Sequence, residues 1–195
     1  MATTIIGTED DDIIFTRAGQ DTIVQGLEGD DIIFDGGFSR SDALFGGDGR
    51  DLFVASVDPF SDLFHGGNGV DTLTFQNATG FAQGPGPELV VDLAQGIATY
   101  RFGSTATPVT DAVRLIENVT GSREVDRLVG DNKANVLKGL GNSDVLIGNG
   151  GNDVLVGGAG ADVLFGGAGA DRFDYNKTTD APPGAIIELI SDFRR

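Results

Sequence analysis

GLGNSDVLI, GNGGNDVLV, GGAGADVLF and GGAGADRFD follow one another without interruption from Gly139 to Asp174. Aspartate recurs at every ninth residue, at Asp144, Asp153, Asp162 and Asp171. A large apolar residue stands two places after each: Leu146, Leu155, Leu164 and Phe173. A fixed internal period sets the architecture before any single element does, because each unit buries its apolar face only against its neighbours. The unit reads as six turn residues followed by three strand residues. Turn glycines admit positive φ and close backbone approach. The strand triplet, as in Val154-Leu155-Val156, is β-branched and apolar. Alternation along a strand points its middle residue inward.

Two units make one coil, so units on the same edge stack at twice the repeat. Asp144 then lies between Asp126 and Asp162, and Asp153 lies next to Asp171. Stacked strands sit about 4.8 Å apart. Bare carboxylates at that spacing repel one another, and a hard cation between the turns removes the conflict. Ca²⁺ takes several carboxylate and carbonyl oxygens at about 2.4 Å, and tight glycine turns present such carbonyls.

The run resembles the RTX family, the haemolysin-type calcium-binding repeats of secreted bacterial proteins, whose consensus is GGxGxDxUx with U large and apolar. Gly157 to Phe165, GGAGADVLF, fits it at every specified position. The resemblance implies an all-β fold, a right-handed parallel β-roll with Ca²⁺ between the turns of successive coils. It also implies that the turn supplies backbone carbonyls beside the aspartate.

Followed outward, the phase divides the chain into an N-terminal roll block (1–74), a hairpin insertion (75–111), a C-terminal roll block (112–174) and a capping tail (175–195). In the first block the strand starts are read at Asp12, Asp21, Asp31, Asp42, Asp51, Asp62 and Asp71. The inward residues are then Ile14, Ile23, Ile33, Leu44, Phe53, Phe64 and Leu73. The spacings, by subtraction, are 9, 10, 11, 9, 11 and 9. Alternate units fall on two edges. One edge has GTEDDD, GLEGDD, GGDGRD and GGNGVD, which predicts calcium between Asp12 and Asp31, Asp31 and Asp51, and Asp51 and Asp71. The other has TRAGQD, GFSRSD and VDPFSD, which have lost glycines, and is expected to be poor in metal.

In the second block Glu117 takes the aspartate slot and Asn135 replaces aspartate. The expected pairs are Asp126 with Asp144, Asn135 with Asp153, Asp144 with Asp162, and Asp153 with Asp171. The first two are expected to be weaker, because GSREVD and GDNKAN lack the fourth-position glycine. The candidate carbonyl donors are Gly29, Gly47, Gly49, Gly67 and Gly69 in the first block. In the second they are Gly139, Gly141, Gly148, Gly150, Gly157, Gly160, Gly166 and Gly169. Stacking the turns in this way predicts roughly five to eight ions.

Between the blocks, residues 88–102 read as a β-hairpin similar to the VDLxxGxAT hairpin found between RTX blocks, with 80–88 and 103–111 as loops. Residues 177–184 read as loop. Residues 185–193 resemble the segment that follows RTX arrays and are expected to cap the last coil. An ending soon after that segment reads as a fragment of a larger protein.

The outward strand positions are also apolar, including Ile13, Phe15, Ile32, Phe34, Leu52 and Val54, and Val145, Ile147, Val154, Val156, Val163 and Phe165. Such a face marks an interface. The hairpin and the tail are expected to cover it, with a neighbouring domain or a second copy as the alternative partner.

Composition limits the remaining function classes. The net charge is −17, which disfavours nucleic acid as a partner. There is no cysteine, so no disulfide framework or thiolate metal site exists. No apolar run is long enough for a membrane span. The N-terminus lacks the features of a signal peptide, and the resemblance implies type I export by a C-terminal signal. The single histidine, His65, is read as a surface or packing residue. No HExxH, GxSxG, Walker A or EF-hand loop is present, and no catalytic residue is assigned. The reading is a non-catalytic, calcium-binding, extracellular module that folds on binding Ca²⁺. The alternatives are the accessory tail of a secreted enzyme and an adhesin or surface-layer segment.

Overall fold

A computed structural model describes residues 2–37, 40–82, 88–103 and 107–174, and the backbone of 189–190. In chain order the first strands are β1 (Thr3–Ile6), β2 (Ile13–Phe15), β3 (Thr22–Glu28), β4 (Ile32–Phe34), β5 (Ala43–Gly49), β6 (Leu52–Val54), β7 (Leu63–Gly69) and β8 (Thr72–Thr74). The middle strands are β9 (Leu89–Asp92), β10 (Ile97–Tyr100), β11 (Val109–Arg114) and β12 (Asn118–Thr120). The last are β13 (Asp126–Val129), β14 (Val136–Gly141), β15 (Val145–Gly150), β16 (Val154–Ala159), β17 (Val163–Ala168), β18 (Arg172–Asp174) and β19 (Leu189–Ile190). No helix occurs among the described residues, and so none is long and apolar enough to cross a membrane.

The strands form two sheets of a parallel β-solenoid of about eight coils. One sheet runs β18-β16-β14-β12-β8-β6-β4-β2, and the other β1-β3-β5-β7-β11-β10-β9-β13-β15-β17-β19. Leucine stacks on leucine along the axis: Leu146 pairs with Leu164, and Leu137 with Leu155. Ile14, Ile33, Phe53, Leu73, Val119, Leu128, Leu137, Leu146, Leu155 and Leu164 all lie in the core, as the period requires. Phe173, on the last coil of the array, is only partly buried.

One register differs from the expected one. Thr22 is paired with Thr3, and its backbone N–H reaches Asp42, so Thr22 and not Asp21 stands in the aspartate slot. Val24 is therefore the fully buried residue and Ile23 is half-buried. A single added residue in the turn before β3 moves the strand by one place, and in a period of two that exchanges its faces.

The insertion is spliced into the roll. β9 and β10 form the expected antiparallel hairpin, but they join the longer sheet between β11 and β13. On the opposite sheet β8, β12 and β14 are direct neighbours. Two additional strands lengthen one face by about 10 Å. A cleft of about 380 Å³ opens there, lined in part by Leu93, Gly96, Val113, Ile116, Asp131 and Lys133. The hairpin therefore does not cover the outward face. Ile13 and Phe15 are exposed at 65% and 59%, and the other outward residues named above are half-exposed. Phe15 stacks on Phe34 at 4.6 Å, and His65 lies outward beside Phe45 at 5.6 Å.

Residues 103–111 are not all loop, because β11 begins at Val109. The loop expected at 177–184 lies outside the described residues. So does the expected cap, except for the backbone of β19, which pairs with β17 and extends that sheet.

Leu155 has no exposed surface and packs in the centre of the second block. Leu155→Ala is expected to cost about 2–5 kcal/mol in denaturant unfolding at saturating Ca²⁺. Val156→Ala, half-exposed on the outward face, is expected to cost much less.

Candidate calcium ladder

The coils meet at their aspartates. On the glycine-rich edge the peptide N–H of Asp12 donates to Oδ1 of Asp31 at 2.9 Å, that of Asp31 to Asp51 at 3.0 Å, and that of Asp51 to Asp71 at 2.9 Å. The ladder then passes to Glu117 Oε2 at 3.1 Å, so Glu117 does stand in the aspartate slot. In the second block the same bond joins Asn135 to Asp153 and Asp153 to Asp171, at 2.8 and 3.0 Å. On the other edge it joins Asp126 to Asp144 and Asp144 to Asp162, at 2.8 and 2.9 Å. Every pair expected from the spacing is brought together.

Each carboxylate has a second oxygen, and its fate divides the sites into two groups. Oδ2 of Asp31, Asp51, Asp71, Asp144, Asp153 and Asp162 is buried without a hydrogen-bond partner. It faces the glycine that opens its own turn, where a carbonyl from the next coil also arrives. A Cβ on Gly46 would collide with Oδ2 of Asp51 and, at 2.8 Å, with the Gly66 carbonyl oxygen. Gly139 and Gly148 meet the Asp144 and Asp153 carboxylates in the same way, with the Gly157 and Gly166 carbonyls at 2.6 and 2.5 Å. These are cradles of converging oxygens that no side chain could occupy. An unpartnered buried carboxylate oxygen beside carbonyls fits a hard, oxygen-seeking cation.

At Asp12 and Asp126 the second carboxylate oxygen is engaged, and so is the single side-chain oxygen of Asn135. These accept the N–H of Thr8 at 2.6 Å, of Ser122 at 2.6 Å and of Asp131 at 2.8 Å, respectively. The amide nitrogen of Asn135 also donates to the Glu117 carbonyl at 2.8 Å, while its oxygen faces Gly130 and the Gly148 carbonyl as the carboxylates face theirs.

The second turn residue decides between the two arrangements. In open turns it has positive φ: Leu27 (90°), Gly47 (124°), Gly67 (124°), Leu140 (84°), Asn149 (73°) and Gly158 (106°). Thr8, Ser122 and Asp131 occupy that position in the closed turns, and none of them has positive φ. A left-handed residue turns its N–H away from the carboxylate and leaves the oxygen open. Leu27 and Leu140 hold that conformation at a cost of about 1–3 kcal/mol, strain of the kind kept at functional positions.

The remaining glycines fall into two sets. Gly29, Gly49, Gly69, Gly160 and Gly169 have positive φ and lie against the neighbouring coil's backbone. Gly141 and Gly150 sit one place earlier in their turns, where an added Cβ meets nothing nearer than 3.6 and 3.4 Å. The close approach in the second of those turns falls to Gly151, packed on the Lys133 carbonyl, which the sequence reading passed over.

Among the described residues no three acidic or histidine side chains gather into an all-side-chain metal centre. The cradles instead combine carboxylate oxygens with carbonyls. A family model described as RTX calcium-binding nonapeptide repeat (4 copies) matches residues 2–24, 120–155 and 147–180. These stretches carry RTX calcium-binding repeats. No curated protein matches it. The stretch between the RTX matches holds the longer coils and the insertion.

Burial raises the carboxyls of this ladder above their ordinary range, against the lowering effect of the ladder N–H bonds. Asp51 and Asp153 are pushed up to about 6 and Asp144 to about 8. Asp31, Asp71 and Asp162 are also raised by burial. A group raised in the fold holds its proton there longer than in the unfolded chain. Its stabilising contribution is complete below the ordinary value of 3.8 and is lost as pH rises through the folded value. The metal-free protein is therefore expected to be most stable near pH 4 and to lose structure between pH 4 and 8. Calcium affinity should rise over the same interval, because the ion displaces protons. Circular dichroism of metal-stripped protein across this range checks the first expectation, and calorimetric calcium titration checks the second.

Proposed function

We propose that this RTX β-roll is a non-catalytic module whose folding is driven by extracellular Ca²⁺. One observation carries the proposal: a series of buried aspartates, each bonded to the next coil through one oxygen and left open through the other, beside glycine carbonyls. Without a cation the ladder brings like charges together out of water. Metal that binds only the folded state contributes its binding free energy to folding. The acidic chain would stay extended where free calcium is scarce, which supports export by a type I route and folding outside the cell. The two repeat blocks and the insertion are taken as its units, with the boundaries given above. The half-exposed apolar columns, such as Ile32–Leu52 and Phe34–Val54, would serve a neighbouring domain or a second copy.

At neutral pH, chelated protein is expected to give a disordered far-UV spectrum and calcium-loaded protein a β spectrum. Asp51→Asn and Asp153→Asn should each lower the number of bound ions and raise the calcium midpoint of folding. A full β signal in chelator at pH 7.5 would sink the proposal.

A further inference from the structure

Two Asn-Gly dipeptides stand in the repeat turns, Asn68-Gly69 in the first block and Asn149-Gly150 in the second. Asparagine before glycine is prone to spontaneous deamidation, because a residue without Cβ leaves its peptide nitrogen unshielded and its backbone free to turn. The reaction is a ring closure. Hydroxide takes the proton of the glycine N–H, and the nitrogen forms a bond to the asparagine Cγ. The Cγ–Nδ2 bond breaks and ammonia leaves. Water then opens the succinimide at either of its carbonyls and gives aspartate or isoaspartate. Water is consumed, ammonia is released, and nothing is oxidised or reduced.

In the folded roll both reacting groups of Asn149-Gly150 are held. The leaving group, Nδ2 of Asn149, donates to the Gly130 carbonyl on the neighbouring coil at 2.8 Å. The nucleophile, the peptide nitrogen of Gly150, donates its N–H to the Asp131 carbonyl at 3.1 Å. The backbone of Asn149 is fixed in the left-handed region at φ 73°, and Gly151 beyond it is packed on the Lys133 carbonyl. Ring closure needs the nitrogen to leave its carbonyl and swing onto Cγ, and these contacts oppose that together. Asn68 also has its leaving group engaged, since its Nδ2 donates to Asp48 Oδ1 at 2.7 Å.

The products fall at a sensitive place. Asn149 is the left-handed second residue of the turn that leaves Oδ2 of Asp153 open. Aspartate there would aim a carboxylate oxygen at the Gly130 carbonyl in place of a donor. Isoaspartate routes the chain through its side-chain carbon and so adds an atom to the main chain. The turn has no slack for it, because Gly151 already lies against the backbone of the neighbouring coil. Either product disturbs the turn that opens the Asp153 cradle.

We propose that Asn149-Gly150 is a deamidation site that the fold switches off, so that time spent unfolded is recorded as an irreversible loss at the Asp153 turn. The reaction belongs to the open chain, and its rate in the native protein follows the population of the opened state. Calcium-driven folding enters only as one condition that closes the chain. Denaturant opens it independently of calcium, so the two readings fail separately.

The test ages full-length protein at mildly alkaline pH in three portions: with Ca²⁺, with chelator, and with chelator and urea. Peptide mapping by mass spectrometry reads conversion at Asn149, and far-UV circular dichroism reads the fold of each portion. Conversion is expected in urea, and at least about tenfold slower wherever the β signal is intact. Equal rates in urea and in the calcium-loaded fold would overturn the proposal. In urea Gly150→Ala should slow conversion, because its Cβ shields the nitrogen, and an unslowed rate would rule out the ring closure. Urea-aged protein returned to Ca²⁺ is expected to need more calcium to refold than fresh protein, with Asn149→Asp shifted in the same direction. A calcium midpoint unmoved by ageing and by Asn149→Asp would defeat the claimed loss at the Asp153 turn. A chelated portion that keeps both its β signal and its Asn149 would count against calcium-driven folding and for this proposal.

Discussion

The structure depends on one repeated contact: the peptide N–H of one aspartate held by a carboxylate oxygen of the aspartate on the next coil. It sets the register of the coils within each block. Asp31 on Asp51 and Asp144 on Asp162 hold at 3.0 and 2.9 Å, although the coils between them differ in length. The same contact buries a column of like charges. A neutral polar residue could make the hydrogen bond, but it would not create the demand for a cation. Register and metal requirement are therefore two consequences of one choice of side chain.

That choice is expressed only where the turn leaves the carboxylate open. Asp51 and Asp126 occupy equivalent slots and both lie in the ladder. Asp51 keeps an unpartnered oxygen, whereas Asp126 spends both oxygens on Ser122. The difference lies four residues upstream, in whether the second turn residue is left-handed. Leu27 shows that the requirement belongs to the backbone and not to glycine as such, since it holds φ of 90° at an open turn. The consensus glycine is the residue that meets the requirement without strain.

Much of this was legible in the sequence. The nine-residue phase predicted the inward leucines and the aspartate pairs, because a strict period leaves no freedom of register. What it missed lies where the period changes. Asp21 and Thr22 are adjacent, and spacing alone cannot choose between them when a turn gains a residue. The buried side of β3 chose, through Val24. Asp111 was read as loop, although Asp111 and Val113 carry the same two-residue offset as every other unit. The offset was hidden because the hairpin separates it from the ladder it joins. The bond from the Asp131 N–H to the Asn135 oxygen was out of reach for a different reason: no composition rule reports it.

The hairpin also explains why the glycine-rich edge is two ladders instead of one. At the insertion the turn between β11 and β12 shrinks to Leu115-Ile116-Glu117, too short to form a six-residue cradle. The chain neutralises this gap with its own groups. Lys133 Nζ reaches Glu117 Oε1 at 3.1 Å, and the Asn135 amide caps the Glu117 carbonyl. An ammonium and an amide stand where a cation would otherwise be needed, beside the cleft that the two added strands open. Asn135 itself faces the following coil, between Gly130 and the Gly148 carbonyl, so the gap lies on its other side, at the Glu117 carbonyl that its amide caps.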